Sequence, residues 1–391
     1  MTENRPKRFS PLHWLAAGCV LVACVAIGFI WSRPVEVNTI AWSNTDFSNY
    51  WTASTLLLKG RVMDLFSGQE TYFANLQAIF GPDYPWRNWS YPPSYVLLMW
   101  PLGFAQLASS LVIFQLVTAL FFLHAVSTVQ RDITPGAAAL LIAFLICNTV
   151  TAQNGFLTAA LMLYGLSLRD RNPIVAGIAF GLLTVKPQLG LLVPLLLLYE
   201  RRWTVIVAAG LSSLALVAAS GTLLGWETWA GYIRHNVPYQ SYVMTDMGGI
   251  FLRMMPSLFG TLRFMEMPSS PAMIIHSVLA IAGFAGFLVG LVRARSLFER
   301  SLVLLLASFL VAPYSLVYDL GALSAVAAIA AFEQRSDEQS TWWRPTFILV
   351  ALLPLIHFAF LGLSHVPVAP LVLSCALLLI VTRPRNQTQA V

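Results

Sequence analysis

The sequence predicts an all-α fold, a polytopic bundle of transmembrane helices, on three observations. Of the 391 residues, 58% are hydrophobic and only 10% charged, where a soluble domain carries roughly a quarter charged residues. Mean hydropathy is +0.72. The apolar residues fall in repeated runs of roughly 18–22, the length that crosses about 30 Å of hydrocarbon. A soluble enzyme and a disordered chain are excluded. The formal net charge of +6 does not point to nucleic acid, because no Lys/Arg-dense tract of the kind that follows a phosphate backbone is present.

The first run, 11–31, follows Arg5, Lys7 and Arg8. It is long for a signal-peptide core and ends in Trp31-Ser32-Arg33-Pro34 without a small-x-small cleavage site. It therefore predicts an uncleaved helix whose basic flank keeps the N-terminus in the cytoplasm. Further runs lie near 109–129, 135–151, 155–168, 173–185, 188–199, 203–223, 271–292, 301–317, 319–333, 345–363 and 366–382, giving about twelve crossings. Alternation then sets Arg131, Arg169, Arg171, Arg201, Arg202, Arg293, Arg295, Arg300, Arg335, Arg344, Arg383 and Arg385 on the cytoplasmic side. About 15 basic residues fall inside against about 8 outside, and both termini are cytoplasmic.

Two stretches widen the count to about 11–13 crossings. Segment 93–107 is short and opens with two prolines, so it is either re-entrant or a further crossing. Residues 173–199 are either two segments or one tilted helix broken at Lys186-Pro187. Two long external segments follow, 32–92 and 225–270, both rich in aromatics. Within the first, Phe66 to Phe80 has the amphipathic pattern of a helix lying along the interface. No repeat or appended soluble stretch is visible, so residues 1–391 read as a single domain.

Cys19, Cys24, Cys147 and Cys375 all lie inside apolar runs without CxxC or Cys/His spacing, which predicts buried apolar side chains rather than disulfides or metal ligands. His13, His124, His276, His357 and His365 are scattered without HxxxH or HExxH spacing, so no metal site is expected.

A charge at membrane depth costs several kcal/mol unless it is paired or faces a cavity, so the intramembrane and loop charges are the functional candidates. Asp46 stands among Trp42, Tyr50 and Trp51; it reads either as a base beside flat sugar-binding faces or as a cap for the helix through Tyr50 to Leu58. Trp86-Arg87-Asn88-Trp89 precedes Tyr91-Pro92-Pro93. The prolines impose an extended entry into the membrane, and an aromatic belt accounts for Tyr91 better than for Arg87. Gln153-Asn154-Gly155 is either a set of amide donors at a cavity mouth or a plain polar turn. Lys186-Pro187-Gln188 interrupts an apolar stretch, and its natural partner is an anion such as a lipid phosphate. Asp319 is a partner for Lys186 or a loop arginine, or acts directly. In the second loop Arg234, His235, Arg253 and Arg263 are candidate phosphate partners, and His235 reads either as a donor or switch or as a plain loop histidine.

These pieces in this order resemble glycosyltransferase family 87, within the GT-C superfamily of integral-membrane enzymes. The resemblance rests on Asp46-Phe47 with Tyr50-Trp51 and Ala53, Leu58 with Gly60, and Leu65-Phe66. It continues through Tyr91-Pro92-Pro93 with Pro101-Leu102, Gln153-Asn154-Gly155 with Leu157-Thr158-Ala159, and Ala176-Gly177 with Gly181. It ends on Lys186-Pro187-Gln188 and Pro313-Tyr314 with Tyr318-Asp319-Leu320. It covers roughly 40–325. The chain departs from the pattern at Gly103-Phe104 and at Thr151-Ala152, where a glycine often precedes the Gln-Asn pair.

The resemblance implies a sugar, mannose in members of this kind, carried on a polyprenyl phosphate and transferred on the external side, with Asp46 as the catalytic carboxylate. The expected reaction is a single inverting displacement onto a lipid or glycan acceptor. Asp46 takes the acceptor proton, and Lys186 with loop arginines, Gln153 and Asn154 stabilise the leaving phosphate. Arg87, Tyr91, Asp319, Arg234 and His235 complete the expected donor site. No DxD pair is present and no cofactor or metal is expected. A transporter or lipid flippase also accommodates a broken helix and buried charges, but such folds carry internal repeats and short loops. A membrane scaffold leaves Asp46, Lys186 and Asp319 without a reason to be there.

Overall fold

The computed structural model describes residues 10–32, 45–332 and 341–383. Arg5, Lys7, Arg8, Arg335 and Arg385, which help to orient the helices in the sequence, lie outside these residues, as does Trp42. The described residues are helical, with no strand among them. Five helices have spanning length and composition: α1 (Pro11–Ser32), then, numbered in chain order, α5 (Leu107–Val129), α10 (Trp203–Leu224), α15 (Ser269–Arg293) and α18 (Trp343–Ser364). Between them run shorter helices: α6 (Pro135–Thr151), α7 (Gly155–Leu168), α8 (Pro173–Leu182), α9 (Val193–Tyr199), α16 (Leu297–Val311), α17 (Gly321–Phe332) and α19 (Val368–Val381). The observed helices follow the apolar runs to within a few residues at most boundaries. The bundle and its apolar surface are those of an integral membrane protein.

Local signals start these helices where they start. Thr134 accepts a hydrogen bond from the Ala137 amide at 3.3 Å, ahead of Pro135 at the first helical position. Ser296 accepts from the Glu299 amide at 3.1 Å. Side-chain oxygens satisfy amides that have no partner within the helix, and proline there gives up nothing.

Residues 173–199 are not one tilted helix. Helix α8 ends through a 3-10 turn at Leu183–Val185, and a second such turn at Pro187–Gly190 leads into α9. The chain reverses at Lys186, because both ends of the segment meet: Arg169, just before α8, holds Glu200, just after α9. Tertiary pairing at the two ends decides the matter, and that pairing is invisible to local hydropathy. Each leg has at most 13 residues, about 20 Å at 1.5 Å per residue, so the turn at Lys186 sits well short of a full ~30 Å crossing. The ascending leg lies close to α10. A Cβ on Gly181 would stand 1.8 Å from Ser212 Oγ, and one on Gly177 2.4 Å from Ala208 Cβ. Small residues four apart are what let apolar helices approach this closely.

Segment 93–107 forms a seven-residue helix, α4 (Pro93–Met99), and a 3-10 turn at Trp100–Phe104. Seven residues reach about 10 Å, so this stretch does not cross. Helix α2 (Phe47–Leu58) packs against it, and α3 (Gln69–Phe80) lies at the same end, with Phe80 against Trp51 of α2 and Tyr72 against Trp89. Helix α3 buries Gln69, Tyr72, Asn75 and Leu76 on one face, as the amphipathic reading of Phe66 to Phe80 expects. Short helices α11 (Trp226–Gly231), α12 (Val237–Thr245), α13 (Ile250–Arg253) and α14 (Leu258–Phe264) occupy the second loop. The cysteines correct the expectation in part: Cys147 is buried, but Cys24 and Cys375 are exposed. In a spanning helix an apolar side chain is as well placed against lipid as against protein.

The opposite end gathers arginines around one carboxylate. Arg169 donates to both Glu200 oxygens at 2.7 and 3.0 Å and also to Ser301 Oγ and the Leu297 carbonyl. Arg300 and Arg202 stand 3.6 and 3.8 Å from the same carboxylate, and Arg202 pairs with Asp170 at 2.6 Å. These contacts tie α7, α9 and α16 together. Removing one partner of a buried pair leaves an uncompensated charge, which costs about 3–5 kcal/mol. Arg169→Met is therefore expected to lower the unfolding temperature in detergent substantially. Arg61→Ala, which removes an exposed pair with Asp64, is expected to have little effect. Equal shifts would refute the clamp.

Candidate functional site

Asp46 immediately precedes α2 but does not cap it. Its backbone is helical and its side chain makes no capping bond. Arg87 Nη1 donates to Oδ1 at 2.7 Å, and Gln153 Nε2 donates to Oδ2 at 2.6 Å. The carboxylate is still 30% exposed, so it has free lone pairs on an open side.

The orientation of Gln153 follows from a directed chain. Its Oε1 accepts from the Tyr50 hydroxyl at 2.5 Å, and the Tyr50 hydroxyl lies 2.9 Å from that of Tyr91. Since Tyr50 gives its proton to Gln153, Tyr91 is the donor in the second bond. The amide of Gln153 must then turn its NH2 toward Asp46. Burial pushes both phenols well above the ordinary tyrosine range, so the donors stay protonated at any working pH.

The backbone of Gln153 is held as firmly. Its carbonyl accepts from Gln115 Nε2 and Asn148 Nδ2, both at 3.2 Å, and Asn148 also donates to Gln115 Oε1. Gln115 is eight residues into α5, about 12 Å below its start, so the carbonyl of Gln153 lies within the bundle and not on its rim. Just before it, Ala152 takes φ 52°, the left-handed region that favours glycine. This is the position where the family pattern often has glycine, and the strain there is the physical content of that departure. Gly155 is constrained in another way: a Cβ would fall 2.1 Å from the Tyr318 carbonyl oxygen.

A second charged pair lies at the tip of the α8–α9 hairpin. Lys186 Nζ donates to Asp319 Oδ1 at 2.8 Å, with side chains 7% and 1% exposed. The other Asp319 oxygen accepts from the Leu316 amide at 3.1 Å. The ammonium stands 4.8 Å from the centre of the Tyr318 ring and 6.0 Å from that of Tyr91. Tyr91 thus links the two pairs: its hydroxyl bonds Tyr50, which holds Gln153 against Asp46, and its ring faces the Lys186 ammonium. It stacks on Tyr95 with centroids 4.4 Å apart, and Asn154 Nδ2 donates to the Tyr95 hydroxyl at 2.9 Å. Trp89 and Tyr95 are fully buried, so much of this aromatic group is core and not an interfacial belt.

Seven of the residues singled out in the sequence (Asp46, Arg87, Tyr91, Gln153, Asn154, Lys186 and Asp319) come together here. Arg234 and His235 do not join them. Both are exposed on a π-helical turn, Tyr232–Asn236, and His235 lines a separate cleft. Arg253 donates to the Phe358 carbonyl and so ties the loop to α18, and Arg263 donates to those of Met267 and Thr245 within the loop. Tyr50, Tyr95, Gln115 and Asn148 were missed. Of these, Tyr50 was noted in the sequence as an aromatic neighbour of Asp46 and not as a hydrogen-bond donor; for the last two the available signal was an amide inside an apolar run, which in lipid must find a partner. Among the described residues no cluster of three or more His, Cys, Asp or Glu converges on one point.

An all-helical membrane bundle with a recessed carboxylate, amide and lysine site defines a class of integral-membrane proteins built for polar chemistry at membrane depth. The chain belongs to glycosyltransferase family 87, whose model matches residues 89–317. Tyr91, Gln153, Asn154, Lys186, Arg234 and His235 lie within that stretch, whereas Asp46, Arg87 and Asp319 lie outside it. Searches of the curated proteins and of the solved structures found no match.

Lys186→Met leaves the Asp319 carboxylate buried and unpaired, and should cost about 3–5 kcal/mol. Adding Asp319→Asn should recover most of the loss of thermal stability. A double variant no more stable than Lys186→Met would show that the pair is not the source of the effect.

Proposed function

We propose that this glycosyltransferase moves a hexose, mannose, from a polyprenyl-phosphate donor to a lipid or glycan acceptor, with inversion at the anomeric carbon. The observation that carries the reading is Asp46 itself. It is a carboxylate fixed by Arg87 and Gln153 yet open on one side, which is what a general base for a hydroxyl requires. The acceptor oxygen forms its bond to the anomeric carbon as its proton passes to Asp46, and the bond from that carbon to the donor phosphate oxygen breaks. The phosphate leaves with its charge.

Lys186 holds its ammonium at the tip of the hairpin, bonded to Asp319 and facing the Tyr318 ring, and in this reading its charge stabilises that phosphate. Asn154 is buried behind Tyr91, where it holds the Tyr95 hydroxyl. Arg234 and His235 make no hydrogen bond or ion pair with these groups among the described residues, so in this reading Lys186 carries the larger part of the task. In this reading the donor lipid enters sideways beside the α8–α9 hairpin, and no metal or cofactor takes part. The arginine-rich end supports a cytoplasmic placement of that face and of both termini. The site then faces the external side of a bacterial inner membrane.

Asp46→Asn removes the proton acceptor and leaves one oxygen to accept from either Arg87 or Gln153, which bond separate oxygens of the carboxylate. Transfer from radiolabelled polyprenyl-phosphate mannose should fall by at least about a hundredfold, with donor binding nearly unchanged. Turnover near the wild-type rate in that variant would exclude Asp46 as the base.

A further inference from the structure

Beside the site, an open cleft of about 620 Å³ runs between the start of α3 and the second loop. Its walls include Gln69 and Glu70 on one side, His235, Tyr239 and Tyr242 on the other, and Trp86. The volume is that of a small-molecule site, roughly 300–1,000 Å³. Trp86 and Tyr242 are 43% and 51% exposed. Trp86 is nevertheless fixed: its indole N–H donates to the Tyr239 hydroxyl at 3.0 Å, and its ring lies 4.6 Å from Phe73. The Tyr239 and Tyr242 rings lie 5.4 Å apart. Flat apolar faces thus stand beside a carboxylate and an imidazole in one concavity.

That combination selects a neutral polyhydroxylated ligand. Aromatic faces suit the C–H faces of sugar rings, and carboxylate and imidazole groups suit hydroxyls. A bilayer-facing aromatic patch would be rimmed by apolar side chains, whereas Ser67, Glu70 and Thr71 line this cleft. The Glu70 carboxylate disfavours an anionic head group.

The cleft is also coupled to the carboxylate. Trp86 is followed directly by Arg87, which holds Asp46. Both walls grip the segment that carries them. Gln69 bonds the Trp89 amide and carbonyl at 2.9 and 3.0 Å, and Asn236, next to His235, donates to the same carbonyl at 2.8 Å.

We propose that this cleft is an acceptor subsite for an oligosaccharide, holding sugar units remote from the hydroxyl that reacts at Asp46. The inference rests on the reading of Asp46 as the base and narrows the acceptor to a glycan or glycolipid with several sugars.

Binding and transfer are tested separately. Full-length protein in nanodiscs is titrated with α-linked manno-, gluco- and galacto-tetrasaccharides and followed by saturation-transfer NMR. The wild type and Asp46→Asn should bind at least one of these with similar affinity. Trp86→Ala and Tyr242→Ala should each weaken that binding about tenfold, and should raise KM for an oligosaccharide acceptor correspondingly. Tyr242 is exposed and distant in sequence from Arg87, so its variant guards against a folding effect of Trp86→Ala. Absence of tetrasaccharide binding by the wild type, or binding unchanged in both aromatic variants, would overturn the subsite. If Asp46→Asn transfers normally while the aromatic variants lose binding, the base assignment fails and the subsite stands.

Discussion

Charge at membrane depth has to be paired, and that requirement shapes this protein. Lys186 and Asp319 are 133 residues apart in sequence. Neither is tolerable alone in a low-dielectric surrounding, so the α8–α9 hairpin and the turn before α17 must meet. Their meeting places Tyr318 and Tyr91 around the ammonium, and Tyr91 in turn begins the hydrogen-bond chain that orients Gln153. An ion pair of this kind adds little net stability over an apolar pair of the same shape. Its persistence here is better explained by what it positions.

The same logic holds at the arginine-rich end, with another outcome. Glu200 answers to three arginines, and the bonds of Arg169 run to α9 and α16 while its own helix is α7. One end of the bundle is locked by a closed ion cluster. The other carries an open carboxylate. Rigidity is thereby concentrated away from the chemistry, and the short helices of the site end are held through aromatic packing and amide bonds.

Helix positions were legible in the sequence because hydrophobic length is a local property. Even the break at Lys186-Pro187 was legible, since lysine and proline both stand out in an apolar run. Its sense was not: whether the chain tilts or turns back depends on Arg169 finding Glu200. The site was legible residue by residue, but not as a set of bonds. Asp46 and Gln153 are 107 residues apart, and nothing local distinguishes a cap from a base. Arg234 and His235 read like phosphate partners because they are polar and lie in a loop, yet the π-helical turn leaves Arg234 exposed and carries His235 to another cleft. Gln115 and Asn148 went unread because an amide in a spanning run declares its role only once its facing helix is known.

The shortness of the α8–α9 hairpin has a consequence for the membrane around it. Legs of about 20 Å beside a ~30 Å hydrocarbon layer create hydrophobic mismatch on one flank. Lipid there must thin or tilt to meet the protein, while α10 alongside keeps full spanning length. An open groove of about 270 Å³ between the hairpin and α10, lined by Phe180, Leu183, Leu197 and Ile206 among others, faces that disturbed patch. For the polyprenyl donor proposed above, bilayer thickness becomes a variable that sorts its chain toward this flank, and transfer then depends on the acyl-chain length of the host membrane as well as on the protein's own residues.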